Sequence, residues 1–115
     1  MTSRMREPSY FILASLQDEP LHGYAIITQA ADLSQGRVRL ATGTLYAALD
    51  RLAGEGMIES VREEIVNGRA RRYYALTPAG DAALRAEAEA LTQAARVVTD
   101  RAVRRAAPRP AVGLA

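Results

Sequence analysis

The chain has 115 residues and a formal net charge of +2 at pH 7, and 49% of its residues are hydrophobic but only 5% aromatic. This length fits one domain with one appended element. Because there is no cysteine, disulfides, thiolate zinc sites and cysteine nucleophiles are excluded. No apolar run approaches the roughly 20 residues that span a bilayer, and no signal peptide is evident. We therefore expect a cytoplasmic protein with no membrane partner.

The N-terminal quarter of the chain predicts a short arm and two helices. Residues 1–8 are polar and charged and are interpreted as the arm. Residues 9–16 form a dense apolar face, which predicts a short buried helix that ends before Pro20. A second helix is predicted over residues 23–33, with a break at residues 34–36. Its residues near helical spacing are Tyr24, Ile26, Ile27 and Ala30.

A short strand and a third helix follow. Residues 37–40 alternate polar and apolar, which predicts the strand. The helix is predicted over residues 42–55, with Thr42 as its N-cap. Gly56 is placed to end it in a left-handed conformation. One face of this helix is apolar at positions i, i+3, i+4 and i+7, formed by Leu45, Ala48, Leu49 and Leu52.

A β-hairpin is predicted next. Residues 57–66 and 70–76 alternate in polarity, and Asn67-Gly68 lies between them. This pair is a strong hairpin signal because both residues adopt positive φ readily. Tyr73 and Tyr74 point to opposite faces of the second strand, so at least one of them is expected in the core.

The last helix is long and apolar along one side. Thr77 is a predicted N-cap and Pro78 the first helical residue, and the helix continues to about residue 106, a length of about 43 Å. A helix of this length cannot bury its stripe against one small domain. We predict that a second copy covers the stripe and forms a homodimer; the alternative is a helix folded back on its own domain. The predicted dimerisation residues are Leu84, Ala88, Leu91, Ala95, Val98 and Ala102.

The order of these elements predicts a mainly α fold with a small β-hairpin. It is that of a winged helix-turn-helix followed by a long C-terminal dimerisation helix. The predicted boundaries are an N-terminal arm over 1–8, a DNA-binding domain over 9–77, the dimerisation helix over 78–107 and a disordered tail over 108–115.

The third predicted helix is the candidate DNA recognition helix. In a helix-turn-helix, the second helix of the motif presents its N-terminal residues to base edges in the major groove. Two threonine hydroxyls suit phosphates or bases, Gly43 allows close backbone approach, and a helix N-terminus favours a phosphate. Tyr46 either contacts DNA or only packs. The predicted contact residues are Thr42, Gly43, Thr44, Tyr46, Ala47 and Arg51.

The hairpin tip is the candidate wing. Three arginines beside a tight turn suit phosphate or minor-groove contact, although such a turn is also found simply solvated. Arg72 lies nearer the strand and has the alternative of pairing with Glu63 or Glu64. The predicted wing residues are Asn67, Gly68, Arg69, Arg71 and Arg72.

Little in the sequence indicates an enzyme. His22 is the only histidine, with no partner at metal-ligand spacing, so we predict a turn or N-cap role for it. Glu87 and Glu89 are two residues apart and do not share a helix face, which argues against paired catalytic carboxylates. We therefore predict no catalytic residue, no metal and no cofactor.

Three segments together resemble the PadR-like transcription regulators, especially the short members with one C-terminal dimerisation helix. The segments are Leu21-His22-Gly23-Tyr24-Ala25-Ile26, residues 42–52 followed by Glu55-Gly56-Met57-Ile58, and residues 67–80. The resemblance implies a dimeric bacterial repressor that contacts promoter DNA through the third helix and the wing. The family often has proline where this chain has Ala47, a departure that leaves the helix geometry intact.

Two questions stay open at this point. Some relatives respond to phenolic acids and others bind planar drugs between tryptophans, but this chain has no tryptophan and its last helix no aromatic residue. An aliphatic small-molecule effector at the dimer interface, between the paired last helices and the first helix, and no effector at all are both left open. A dimer would bind duplex DNA at a pseudo-palindromic site with half-sites about 34 Å apart. The alternative function is a winged-helix protein-interaction module without specific DNA readout.

Overall fold

The computed structural model describes residues 5–107, and in this range it contains four α-helices and one three-stranded antiparallel sheet. The helices are α1 Glu7–Ser15, α2 Gly23–Leu33, α3 Thr42–Gly54 and α4 Pro78–Ala106. The strands are β1 Leu21–His22, β2 Ile58–Val66 and β3 Arg69–Leu76, in the sheet order β1-β3-β2. The prediction of a mainly α winged helix-turn-helix with a long C-terminal helix is confirmed.

The core lies where α1, α2 and α3 meet the base of the hairpin. Ile12 of α1, Ile26 of α2 and Leu49 of α3 are fully buried. Burying a side chain of this size stabilises the fold by about 1.5–3 kcal/mol. The predicted apolar face of α3 is confirmed, because Leu45 and Leu52 are also buried.

The N-terminal boundary differs from the prediction. Helix α1 begins at Glu7, so the predicted arm is wrong for residues 7–8. Pro8 occupies the first turn, where its missing N–H costs no hydrogen bond, and the Glu7 carboxylate suits the helix dipole there. Residues 1–4 of the arm and the predicted tail over 108–115 lie outside the described residues.

The predicted strand over 37–40 is wrong. Val38 is buried and Arg37 and Arg39 are exposed, so the alternation is real, but the segment is a loop. Its amides bond to the end of α2 instead: the Val38 N–H donates to Ser34 Oγ at 2.8 Å. The strand that joins the hairpin as the third strand of the sheet is β1, which pairs with β3 and has Leu21 opposite Tyr74. Two residues are too short to show a period, so the sequence pattern did not reveal β1.

The hairpin turn is as predicted. Asn67 and Gly68 both have positive φ, 53° and 76°. A one-residue irregularity between Ser60 and Arg62 shifts the register of β2 against β3. A bulge of this kind increases the local twist of a hairpin. Of the two tyrosines in β3, Tyr74 is the core residue, with 5% of its surface exposed.

The junction between α3, β2 and α4 is closely packed. The predicted left-handed Gly56 (φ 77°) ends α3, and the predicted cap of α4 is confirmed. Thr77 Oγ1 accepts the Gly80 N–H at 3.0 Å and donates to the Gly56 carbonyl at 2.6 Å. A Cβ on Gly80 would lie 1.9 Å from the Met57 carbonyl oxygen. Only glycine fits there, because the first turn of α4 packs directly against the backbone of the segment that follows α3.

Candidate nucleic-acid interface

The N-terminus of α3 is exposed and lacks a side-chain cap. The N-cap residue is Ala41, in an extended conformation (φ −73°, ψ 152°), and Thr42 is the first helical residue. The predicted N-cap role of Thr42 is therefore wrong, because the helix begins at Thr42 itself, one residue earlier than that role requires. Thr42, Gly43 and Thr44 are all exposed. The first-turn amides of α3 thus present an uncapped, positively polarised helix end to the exterior.

Tyr46 packs against α2 and is also partly exposed. Its hydroxyl would lie 2.8 Å from a Cβ built on Gly23, so the phenol covers the first residue of α2. At the same time 46% of Tyr46 is exposed. Ala47, on the next position of α3, is exposed as well. Packing and an outward contact are therefore compatible for Tyr46.

Arg51 lies apart from the exposed N-terminus of α3. Its guanidinium donates to Ser9 Oγ of α1 at 2.6 Å and to Glu55 Oε1 at 3.0 Å. Seven residues separate it from Thr44, which is about 10.5 Å along the helix axis. The first bond joins α3 to α1 and the second lies at the end of α3, while 51% of the Arg51 side chain stays exposed.

The wing arginines divide between the two faces of the hairpin. Arg69 and Arg71 alternate with Ala70 along β3 and share a face, whereas Arg72 lies on the other face directly opposite Glu63. Arg69 and Arg72 are exposed, and Arg71 is half-buried opposite Glu64. The turn therefore carries cationic groups on both of its faces.

A groove of about 430 Å³ separates the wing from the helix-turn-helix. Its walls include Tyr46 of α3 and all of the predicted wing residues except Gly68. Thr42, Gly43, Thr44 and Ala47 do not line it; they lie exposed on α3. The residues around the groove are His22, Gly23, Tyr24, Tyr46, Val66, Asn67, Arg69, Ala70, Arg71 and Arg72.

Tyr24 is a surface residue that was not predicted from the sequence. Tyr24 was grouped with the apolar face of α2, yet 77% of it is exposed, beside the groove. Ile26 and Ala30 are four residues apart and fully buried, and they define the inward face. Tyr24 is two residues from Ile26, about 200° around the helix, so the two cannot share a face. That spacing was the available signal.

His22 joins the sheet to α2. Its Nδ1 accepts the Ala25 N–H at 3.4 Å, so the predicted N-cap role is confirmed. An Nδ1 that accepts a hydrogen bond carries no proton. Partial burial, followed by the nearby Arg71 cation, lowers the pKa of His22 from its ordinary value of 6.5, against an opposing effect of Glu64. The fold therefore favours the neutral imidazole that the cap requires.

Within residues 5–107 no helix has the combination of length and apolar character that crossing a membrane demands. In the same range, no group of three or more His, Asp or Glu side chains is arranged to hold a metal ion.

Comparison with known proteins agrees with this geometry. The model of the Transcriptional regulator PadR-like family matches residues 12–86. Transcriptional regulator Rv3488 of Mycobacterium tuberculosis is 45% identical over 87 residues, which cover 76% of this chain and 78% of that protein.

Solved structures share the fold. A PadR family transcription regulator from Clostridium difficile R20291 has a TM-score of 0.69 at 24% identity, covering 83% of this chain and 97% of its own. Bacillus subtilis PadR in complex with operator DNA has a TM-score of 0.61 at 27% identity, covering 70% of this chain and 46% of its own. The chain belongs to the PadR-like family of transcriptional regulators, which are not enzymes.

Proposed function

We propose that the chain is a dimeric, sequence-specific DNA-binding repressor that recognises a pseudo-palindromic operator. The observation that carries the proposal is the uncapped N-terminus of α3, exposed near an arginine-bearing wing turn. The Bacillus subtilis relative was crystallised with operator DNA, and this supports the same ligand here.

The N-terminus of α3 suits the major groove. Thr42 and Thr44 offer hydroxyls, and Gly43 has open space around its Cα, with no atom within 4 Å of a Cβ built there. The uncapped amides of the first turn would bind a backbone phosphate. We assign base reading to Thr44 and the exposed part of Tyr46, with Ala47 against a thymine methyl. Arg51 is left out of this set because its guanidinium is bonded to α1 and Glu55.

The wing suits the phosphate backbone or the minor groove. Arg69 and Arg72 are exposed on the two sides of a turn whose backbone is set by Asn67 and Gly68. We assign Arg69 and Arg71 to phosphates beside the site that α3 reads.

Helix α4 would form the dimer. Leu84 is 3% exposed and belongs to the core of its own chain, so it is not available to a partner. Beyond it the predicted stripe comes to the surface: Leu91 is 41% and Val98 68% exposed, and Ala95 and Ala102 are exposed too. These residues are spaced by four and three, the spacing with which two helices pack along a shared seam. Half-buried Ala88 marks the transition.

A small-molecule effector is proposed at a second groove, of about 720 Å³, between α1, α3 and α4. Leu52, Met57 and Ala83 supply apolar surface, while Arg6 and Glu55 supply charge. Among residues 5–107 no aromatic side chain lines it, so an aliphatic carboxylic acid or amine fits better than a planar ring. Such a ligand should raise the midpoint of thermal unfolding; a series of aliphatic acids and amines that leaves it unchanged would count against an effector at this groove.

Selection of binding sites from random duplex DNA tests the main proposal. We expect enrichment of an inverted repeat whose half-sites lie about one helical turn, or 34 Å, apart. The enriched site, placed between a promoter and a reporter gene, should lower transcription when the protein is present. Enrichment of a single half-site would contradict the dimeric mode. No enrichment at all would favour the protein-interaction alternative.

Thr44→Ala tests direct reading. We expect the variant to bind the selected site more weakly and to discriminate less at the base pairs in contact, by about 1–3 kcal/mol per pair. Thr28→Ala, an exposed threonine on α2, is the matched control. An unchanged order of preference among sites would remove Thr44 from the reading set.

A further inference from the structure

His22 occupies the joint between the wing and the helix-turn-helix. Through its backbone it pairs with Tyr73 in the short ladder between β1 and β3. Through its side chain it caps α2, the first helix of the helix-turn-helix, at the Ala25 N–H. One residue thus contacts the strand that carries the wing arginines and the helix that packs against α3.

The aromatic contact of His22 belongs to a larger cluster on one face of the sheet. Its ring meets the Tyr73 ring edge to face, with centroids 5.4 Å apart and an angle of 87° between planes. The guanidinium of Arg62 lies 4.0 Å from the centroid of Tyr73, and the Tyr73 hydroxyl donates to Glu64. β1, β2 and β3 each contribute to this cluster, so the base of the wing is held by side chains as well as by the ladder.

The cluster lies at the base of the hairpin formed by β2 and β3, and the wing tip lies at the opposite end of this hairpin. Tyr73 and Arg69 are four residues apart on β3, about 13 Å at the rise of an extended strand. β1 pairs with β3 at Tyr73 and Tyr74, so the hairpin towards Arg69 consists of two strands, which alone have little stability. Because Arg69 is this far from Tyr73, a small change in the angle of the hairpin at Tyr73 displaces the Arg69 guanidinium relative to the N-terminus of α3.

We propose that His22 is a positioning residue for DNA binding, whose ring holds the wing at a set angle to α3 through Tyr73. The proposal rests on the DNA-binding function proposed above, because the wing arginines must contact DNA for their placement to affect affinity. The ring contact is assigned to the wing and the Nδ1 cap to the stability of α2. Two substitutions separate these roles, since asparagine retains a capping oxygen and loses the ring, while phenylalanine retains a ring and loses the cap.

The first measurement needs no DNA. Hydrogen exchange of the free protein should be about tenfold faster at the β3 amides in His22→Asn than in the natural protein. His22→Phe should keep the natural exchange rates in β3 while lowering the midpoint of thermal unfolding through loss of the cap. Equal β3 exchange in the two variants would overturn the assignment of the wing to the ring.

The second measurement is a double-mutant cycle in DNA affinity. His22→Asn and Arg69→Ala, alone and together, are titrated with a fluorescently labelled duplex carrying the selected site. We expect the pair to be coupled by about threefold or more, because the arginine contributes little once the wing is displaced. Strict additivity would overturn the proposal. If the natural protein fails to bind any duplex, the proposed function is wrong, and the exchange measurement still decides what holds the wing.

Discussion

Helices α3 and α4 each carry an apolar stripe, and the two stripes differ in how far they are buried within the chain. In α3 the stripe is buried within the chain: Leu45 and Leu49 have no exposed surface. In α4 only the first two turns are buried, at Gly80 and Leu84, and Val98 is 68% exposed. The outer side of α3 is polar or small and its N-terminus is uncapped, while α4 begins with a side-chain cap.

This difference shows what can be inferred about the partner of a helix from an apolar stripe in its sequence. Periodic apolar residues show that a helix has a partner surface, but not whether that surface is in the same chain. For α3 the partner is the core of its own chain. For α4 beyond Ala88, residues 5–107 offer no surface that covers the stripe, and the proposal of a second copy follows from that.

The largest effect is expected from the α3 stripe. Leu49→Ala leaves a cavity among fully buried side chains and should lower the free energy of unfolding by about 2–5 kcal/mol. Chemical denaturation followed by circular dichroism measures it. Leu91→Ala is the matched change on α4, and we expect a smaller loss that disappears on dilution. An equal loss from both substitutions at every concentration would contradict an intermolecular partner for α4.

The next largest effect concerns assembly. Leu91→Asp with Val98→Asp places two carboxylates in the α4 stripe, where a closely packed partner would have to bury them. Sedimentation should change from dimer to monomer, and affinity for the inverted repeat should fall by about tenfold or more. Gln93→Asp with Val97→Asp adds the same charge on the other side of α4 and should remain dimeric. A dimer that survives the first pair would mean that another surface joins the two copies.

Removing two arginines from the wing tests whether the position of these charges matters for DNA binding, or only the net charge of the chain. Arg69→Ala with Arg71→Ala should weaken binding to all duplexes and reduce the slope of log K against log salt by about 1.8, the value for two phosphates. Arg96→Ala with Arg101→Ala removes the same charge from α4 and serves as the control. Equal slopes for the two variants would indicate that net charge alone, and not the wing, attracts DNA.

A cap added to α3 tests why α3 starts without one. Ala41→Ser and Ala41→Asp should each raise the free energy of unfolding by about 1 kcal/mol by satisfying a first-turn amide. The aspartate should also weaken DNA binding, because its charge occupies the position we assign to a phosphate. Serine, which is uncharged, separates capping from repulsion. Affinity that is unaffected by the aspartate would show that no phosphate binds at this helix end.

The smallest effect is the pH dependence that His22 introduces. Because the pKa of His22 is lowered in the folded chain, the unfolded chain binds more protons near the ordinary value of 6.5. Stability should therefore decline as the pH falls below about 6.5 and level off once the folded form is also protonated. Unfolding free energies of the natural protein and His22→Asn between about pH 5 and 7.5 isolate this contribution, since asparagine does not titrate. Parallel curves would show that His22 titrates alike in both states.

Much of the fold was predictable because its signals are local. The bounds of α2 follow from residues with helical spacing, and the hairpin follows from Asn67-Gly68, whose positive φ values need those residue types. Thr77 and Gly56 likewise mark helix ends by their own chemistry. The N-cap of α3 was misplaced by one residue because Thr42 has the side chain of a cap but lies inside the helix.

The candidate site was predicted less completely, because its missing parts depend on distant neighbours. Residues 37–40 alternate like a strand, but a strand needs a partner, and the edge of β3 is occupied by β1. Arg51 has the position of a DNA contact on α3, yet Ser9 of α1 lies within reach of its guanidinium. Tyr24 is the exception, because its spacing from Ile26 along the sequence already excludes it from the inward face of α2.

By itself the sequence determined where most helices begin and end, where the chain turns, and which family it belongs to. These features depend on residue type and on spacing within a few positions, and so they can be predicted from the sequence alone. Only the tertiary structure decided that Leu84 belongs to the core while Val98 is exposed, and that His22 lies against Tyr73. Such contacts join residues far apart in sequence, and the burial of a side chain depends on what the rest of the fold brings next to it.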